Sequence, residues 1–361
     1  MDNYFRRPQV LFIPYDAGEA LAFEPVLDHL DEEGISYCIL ALGTARSMYQ
    51  THPQYLGLRA DIGLKADIGP MNWRREMALP RGDVDEVLRA VKPVVVVSGM
   101  VSEVQRQLAA GFRLKGSRVV GYFDAMHALR SEAVEATFLD IVDEVWAPAE
   151  RVAEGIRAAA PSLPIHVVGQ PSLEAWMGAA DTAEVNAWFE EAGLTGKRVL
   201  YCSGYGEDFV PSFELFVKTT QAFPHVSFAV SLHPRVPGTL EQRVLDDYPS
   251  DNIQIAPRHL PSSLLAHAVD AVVCYRSTAG FQALFLGKPV IYALSGLIPF
   301  SNLTIDLGIV PKVSAESELQ KALQEALNTT CSVSVQELCQ RLGIPPQASQ
   351  LFADRIAALL S

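Results

Sequence analysis

Short, uninterrupted apolar runs alternate with segments whose apolar residues recur every three or four positions, and the alternation continues from one end of the chain to the other. Strands are expected at 9–15, 37–42, 93–98, 118–123, 144–147 and 165–168. Helices are expected between them at 20–33, 83–91, 102–114, 131–141 and 150–160, the first stopped by Gly34. An irregular region rich in Gly and Pro, 44–81, reads as loops and short helices. The turn Gly169-Gln170-Pro171-Ser172-Leu173 interrupts the pattern, which then resumes with helices at 183–192, 212–222, 240–247 and 262–268. Strands of this second half fall at 198–203, 226–232, 253–257, 271–274 and 290–294, and the tail from Glu316 to Leu360 is largely helical. Strands apolar along their whole length are buried on both faces, as in parallel sheets covered by helices. The expected class is therefore α/β, with two doubly wound, Rossmann-like domains at 1–173 and 174–361 facing a cleft. Leu351, Phe352, Ile356, Ala357 and Leu360 recur at helical spacing and need a surface to cover, which the first domain could supply.

The stretch 270–294, DAVVCYRSTAGFQALFLGKPVIYAL, condenses this grammar into a strand, a sharp polar turn, a helix and a second strand. Amide groups at the start of a helix lack intrahelical partners and suit an anion. Here they come from Ser277, Thr278, Ala279 and Gly280, with two hydroxyls and the Arg276 guanidinium beside them. The alternative is an N-capped helix in a βαβ unit with no ligand.

Composition narrows the class. At 361 residues, 49% hydrophobic, the chain has enough apolar material for two cores, yet holds no apolar run of membrane-spanning length. The opening MDNYFRRPQV carries no apolar segment before the first strand and does not read as a signal peptide. Five scattered cysteines, without metal-site spacing, read as reduced core thiols of a cytoplasmic protein. A net charge of −13 argues against nucleic acid as a partner, so an anionic substrate needs a locally positive pocket. Trp73-Arg74-Arg75 with Met77 forms a small basic, apolar-edged patch that allows at most peripheral membrane contact, the alternative being a solvated loop.

Four segments carry a resemblance to the GT-B glycosyltransferase architecture. VVGQPSLEAW (167–176) looks like the interdomain junction of lipid A disaccharide synthase and its relatives, and GLTGKRVLYCSGYGEDF (193–209) resembles the opening strand and phosphate loop of their second domain. SLHPR (231–235) is similar to the strand-end His-Pro of CDP-glycerol glycerophosphotransferases, and 270–291 resembles the Ser/Thr-Gly turn element of GT-B donor domains. The start YDAGEALAFEPVLDHL resembles the first strand and glycine turn of the lipid A disaccharide synthase group. Two departures stand out. Gln282 occupies the helix position where GT-B donor sites often hold a ribose with Glu, and the Gly-Thr-Arg-Pro-Glu signature of non-hydrolysing UDP-sugar 2-epimerases is absent.

The resemblance implies a nucleotide-sugar donor as co-substrate, no separate cofactor, and an acceptor that could be a small molecule, a glycan or a lipid-linked species. Donor contacts are expected from a backbone nest of Gly204, Tyr205 and Gly206, from His233 and Arg235, from Arg276, Ser277, Thr278, Ala279 and Gly280, and from Gln282. His233 reads alternatively as a cap on a tight Pro turn. Acid–base candidates at strand ends of the first domain are, in order, Asp16, His127 and Asp124, with Glu19 and Glu103 also placed there. Asp16 and Asp124 read alternatively as helix N-caps, and Glu103 as a helix-dipole partner. The second half has no Asp-x-Asp triplet, so no metal is expected, with Glu207-Asp208 as the pair able to change that. An inverting, metal-independent glycosyltransferase is the leading reading. The alternatives are a nucleotide-sugar epimerase or hydrolase on the same fold, and a non-catalytic nucleotide-binding protein.

Overall fold

The computed structural model describes residues 7–57, 75–127, 134–204, 206–234, 236–295, 300, 302–328 and 333–361. The chain divides into two compact units, Met1–Ala175 with Leu342–Ser361, and Trp176–Arg341.

The first unit is built on β1 (Val10–Ile13), β2 (Tyr37–Ile39), β3 (Val95–Gly99), β4 (Arg118–Tyr122), β5 (Glu144–Ala147) and β6 (Ile165–Val167). They form a parallel sheet in the order β2-β1-β3-β4-β5-β6, with Val10 in register with both Tyr37 and Val95. Because the chain steps from β1 out to β2 and then back to β3, the order reverses between β1 and β3. In open α/β sheets that reversal opens a crevice at the carboxyl ends of the strands.

Its core contains an element from the far end of the sequence. The helix Ala348–Leu360 lies against the helix Ala17–Glu32 and drives Phe352 into the sheet's aromatic cluster. The Phe352 ring meets Trp146 edge-on at 4.7 Å and Tyr122 at 5.2 Å. Below this cluster Arg355 reaches the buried Glu144 carboxylate at 3.4 Å, where Arg118 also binds at 3.1 Å and the Trp146 indole N–H donates. Two guanidiniums and an indole thus satisfy a carboxylate that would otherwise be costly to bury.

The second unit repeats the plan with β7 (Lys197–Cys202), β8 (Val226–Ser231), β9 (Ile253–Ile255), β10 (Ala271–Cys274), β11 (Val290–Ala293) and β12 (Lys312–Val313). The order β12-β11-β10-β7-β8-β9 places its reversal between β7 and β10, whose residues Cys202 and Cys274 are register partners. Tyr201, Phe213, Phe216 and Phe228 fill the space between β7, β8 and the helix Val210–Thr220. Cys38, Cys202 and Cys274 are buried free thiols, Cys339 is a partly exposed one, and Cys331 lies outside the described residues.

Most expected elements are present with ends shifted by one to three residues. The main exception is the helix expected at 131–141, described only as Val134–Thr137. The chain then turns, Phe138 anchors the turn in the core, and the Asp143 amide already donates to Val119 at 2.8 Å to begin β5. Ala45–Tyr49 is one of the short helices expected in 44–81; the helices Ser172–Met177 and Leu303–Asp306 and the strand β12 were not expected, each being six residues or shorter, too short to show a period.

Candidate functional site

In the first unit the β1–β3 crevice is lined by carboxylates. β1 runs out at Pro14-Tyr15-Asp16, and Asp16 takes the extended N-cap position of the helix Ala17–Glu32. Three residues on, Glu19 turns back: its Oε2 accepts from the amides of Tyr15 at 2.7 Å and Asp16 at 3.4 Å. The Gln105 amide donates to the same oxygen at 2.8 Å and to the Ile13 carbonyl at 2.8 Å. Gln105 Oε1 in turn accepts from the Ser102 amide at 3.0 Å, so the loops after β1 and β3 are tied together under the crevice. Glu19 is fully buried, and its carboxyl lies where a side chain on Gly99 would begin, so only glycine fits there. Burial, with the Asp124 and Asp16 charges adding to it, pushes the Glu19 carboxyl well above the usual range. Its hydrogen bonds tie it to the loops beneath the crevice.

Asp124 follows β4 and leans over the start of the first helix, its Oδ2 2.7 Å from where a Gly18 Cβ would stand. Gln170 Nε2 donates to the Asp124 carbonyl at 3.2 Å and fixes this loop. Asp124 is half-buried, and desolvation, then the Asp16 charge, push its carboxyl up to about 6 although Arg75 opposes the shift. Asp16, by contrast, is ion-paired with Arg75. The two carboxylates thus differ in their surroundings, Asp16 being held by a guanidinium and Asp124 raised by burial. His127 lies three residues further, its ring edge-on to Phe123 at 5.7 Å. Glu103 makes a two-pronged, part-buried pair with Arg106 on its own helix, at 2.5 and 2.6 Å.

Arg75 was legible only as part of a basic patch, and its pairing with Asp16 comes from the fold. Trp73 and Arg74 lie outside the described residues. The signals for Glu19 and Gln105 were in the sequence: Asp16-x-x-Glu19 and Ser102-x-x-Gln105 are both capping-box spacings.

In the second unit the β7–β10 crevice gathers a different set. Ser203 and Gly204 follow β7, and Tyr275, Arg276 and Ser277 follow β10. Gly204 is required by proximity, since its Cβ would stand 2.6 Å from the Tyr275 ring. The one-turn 3-10 helix Glu207–Phe209 brings Asp208 alongside, where its Oδ2 accepts from the Tyr275 hydroxyl at 3.1 Å and from Arg276 Nη1 at 3.4 Å. Burial pushes the Tyr275 hydroxyl up and keeps it a donor.

The expected phosphate turn is partly engaged already. Ser277 is the N-cap of the helix Thr278–Leu284, its Oγ accepting from the Ala279 amide at 3.2 Å, and the Gly280 amide donates to the Ser277 carbonyl at 3.3 Å. The outward-facing donors offered here are thus the exposed Thr278 and the half-buried Arg276 rather than the amides of Ala279 and Gly280. Gln282 is buried on the same helix, and the His233 carbonyl accepts from the Val236 amide at 3.2 Å in the Pro turn after β8. Tyr205 and Arg235 lie outside the described residues.

Among the described residues no helix is long and apolar enough to cross a membrane. Residues 187–333 match the family model described as capsule polysaccharide biosynthesis protein, a match confined to the second unit. No curated protein sequence matches the chain. Among solved structures, the UDP-GlcNAc 2-epimerase from Neisseria meningitidis bound to UDP-GlcNAc aligns with a TM-score of 0.67 at 16% identity, covering 98% of this chain and 100% of that one. S. aureus MnaA with UDP aligns at 0.69 and 13% identity, covering 99% and 97%. The wall teichoic acid polymerase TagF aligns at 0.59 and 12% identity, covering 99% and 90%. Two parallel, doubly wound sheets with this order of parts give the chain the GT-B fold of the glycosyltransferase-like proteins.

Proposed function

We propose that the protein is an inverting, metal-independent glycosyltransferase that takes a sugar from a nucleotide-sugar donor held by the second unit. The observation that carries this reading is the position of the family match: 187–333 contains the whole carboxyl edge of β7, β8 and β10, with Gly204, Gly206, His233 and Arg276–Gly280. Arg276, Thr278 and the Ser277 hydroxyl supply the positive charge and hydrogen-bond donors that a departing diphosphate needs. His233, Tyr205 and Arg235 are assigned to the same donor, as is the backbone of Gly204, with Gln282 near the ribose.

Asp124 is assigned as the base, with His127 and Asp16 close by in the loops of the first unit. Asp124 takes the proton of the acceptor hydroxyl, the hydroxyl oxygen attacks the anomeric carbon, and the bond from that carbon to the diphosphate breaks. The developing negative charge passes to the diphosphate and is met by Arg276. Arg276→Ala is accordingly expected to lower turnover more than it weakens nucleotide binding, because the charge matters most as the diphosphate leaves.

The nearby carboxylates are engaged by side chains: Asp208 by Tyr275 and Arg276, and Glu207 by Arg243 at 3.6 Å. Hard cations take oxygen ligands, usually with a carboxylate or two, so the turn's cations are assigned the role of metal. Activity is expected to survive excess EDTA. Loss on chelation, restored by magnesium or manganese, would move the assignment to Glu207 and Asp208.

The second reading is a nucleotide-sugar epimerase, favoured by the alignment with the UDP-GlcNAc 2-epimerase at 0.67 against 0.59 for TagF. Incubation with labelled donor separates the readings. An epimerase rearranges the donor without acceptor and a hydrolase releases free sugar. A transferase yields little of either until acceptor is supplied, and a binding protein yields nothing.

A further inference from the structure

The guanidinium heading the phosphate-type turn already faces an anion supplied by the chain itself. Asp208 Oδ2 lies 3.4 Å from Arg276 Nη1 and accepts the Tyr275 hydroxyl at 3.1 Å. Aromatic rings fix the guanidinium from the other sides, its Cζ 5.5 Å from the Phe300 centroid and 5.7 Å from that of Tyr275. The backbone is shaped to deliver this carboxylate. Gly206 takes φ +85, closed to most L-residues, and a Cβ there would stand 3.0 Å from Asp208 Oδ1. Gly206 therefore serves Asp208 directly, a role distinct from that of a phosphate nest.

We infer that Asp208 is an internal stand-in for the ligand's phosphate, which holds Arg276 aimed until a diphosphate displaces it. The inference rests on the proposed reading of Arg276 as a phosphate contact. The Asp208 side chain is 44% exposed and that of Arg276 30% exposed, so solvent screens the pair and it is easily exchanged. Every anion that takes Arg276 must first displace the same carboxylate, so Asp208 lowers the affinity for each of them by the same fraction of competent guanidinium. Asp208 thereby sets how tightly a phosphate group is held without touching the bound ligand.

The test is calorimetric titration of inorganic pyrophosphate and inorganic phosphate into the wild-type protein, Asp208→Asn and Arg276→Gln. Asp208→Asn keeps an acceptor for the Tyr275 hydroxyl and removes only the charge. It is expected to bind pyrophosphate about three- to tenfold more tightly than wild type. Its gain for inorganic phosphate should be of about the same factor, because both anions displace the same carboxylate. Arg276→Gln is expected to weaken both. Unchanged or weaker pyrophosphate binding in Asp208→Asn, with Arg276→Gln still weakened, overturns the stand-in and leaves the reading of Arg276 intact. Wild-type affinity in Arg276→Gln, or no pyrophosphate binding by any of the three proteins, overturns both. Asp208→Ser, monitored by circular dichroism, should reproduce the gain; a loss of fold in Asp208→Asn alone would then be recognised as such.

Discussion

Replacing Phe352 by Ala is expected to destabilise the first unit by about 3–5 kcal/mol, although the residue stands nearly two hundred positions beyond the last strand of that unit's sheet. Its side chain is fully buried and touches Trp146, Tyr122 and Phe23 at centroid distances of 4.7, 5.2 and 5.9 Å. The rings it meets stand on β5, β4 and the helix Ala17–Glu32, which hold them in place. Denaturant unfolding, followed by a probe in the first unit such as Trp146 fluorescence, reads the loss. A change below about 1 kcal/mol would mean that the last helix is not part of this core.

Asp124→Asn is expected to lower turnover by about 10²–10⁴-fold, the range for removing a positioned base. In the wild-type protein kcat/KM should rise with pH through about 6, where the Asp124 carboxyl loses its proton, and then level off. Stability should move the opposite way. Because the folded-state value lies above the ordinary 3.8, the folded protein holds this proton more tightly than the unfolded chain does. The stability contributed by the protonated form is complete below about 3.8 and is lost as pH rises through about 6. At pH 7 the substitution, which removes a half-buried charge, should therefore stabilise the protein by about 2 kcal/mol, and at pH 3.5 by almost nothing. Unchanged turnover in Asp124→Asn beside a large loss in Asp16→Asn would return the base to Asp16.

The two sheets were legible because their strands, Val10–Ile13 or Ala271–Cys274 for instance, are apolar along their whole length and flanked by turn residues. The crevices followed from strand order, since polar residues directly after β1, β4, β7 and β10 must gather at one edge. What local pattern could not provide was pairing across the sequence. Asp16 and Arg75 are far apart in the chain, and nothing in either segment says that the guanidinium pairs with that carboxylate. Likewise Ser277 reads equally as a phosphate donor and as a cap, and only the 3.2 Å bond from the Ala279 amide shows the cap. Glu19 carried a legible capping-box spacing, but its burial depends on Gly99, contributed by a different strand.

The central claim, that the second unit binds a nucleotide through Arg276, is tested most directly by thermal shift against UDP, GDP, CDP, dTDP and CMP. Ligand bound only by the folded state raises the melting temperature by mass action, and at a concentration of about 100 Kd adds about 2.7 kcal/mol. One of the five nucleotides is expected to raise the melting temperature clearly in the wild-type protein, with a smaller shift in Arg276→Ala. No shift with any nucleotide, or an equal shift in Arg276→Ala, would contradict the account.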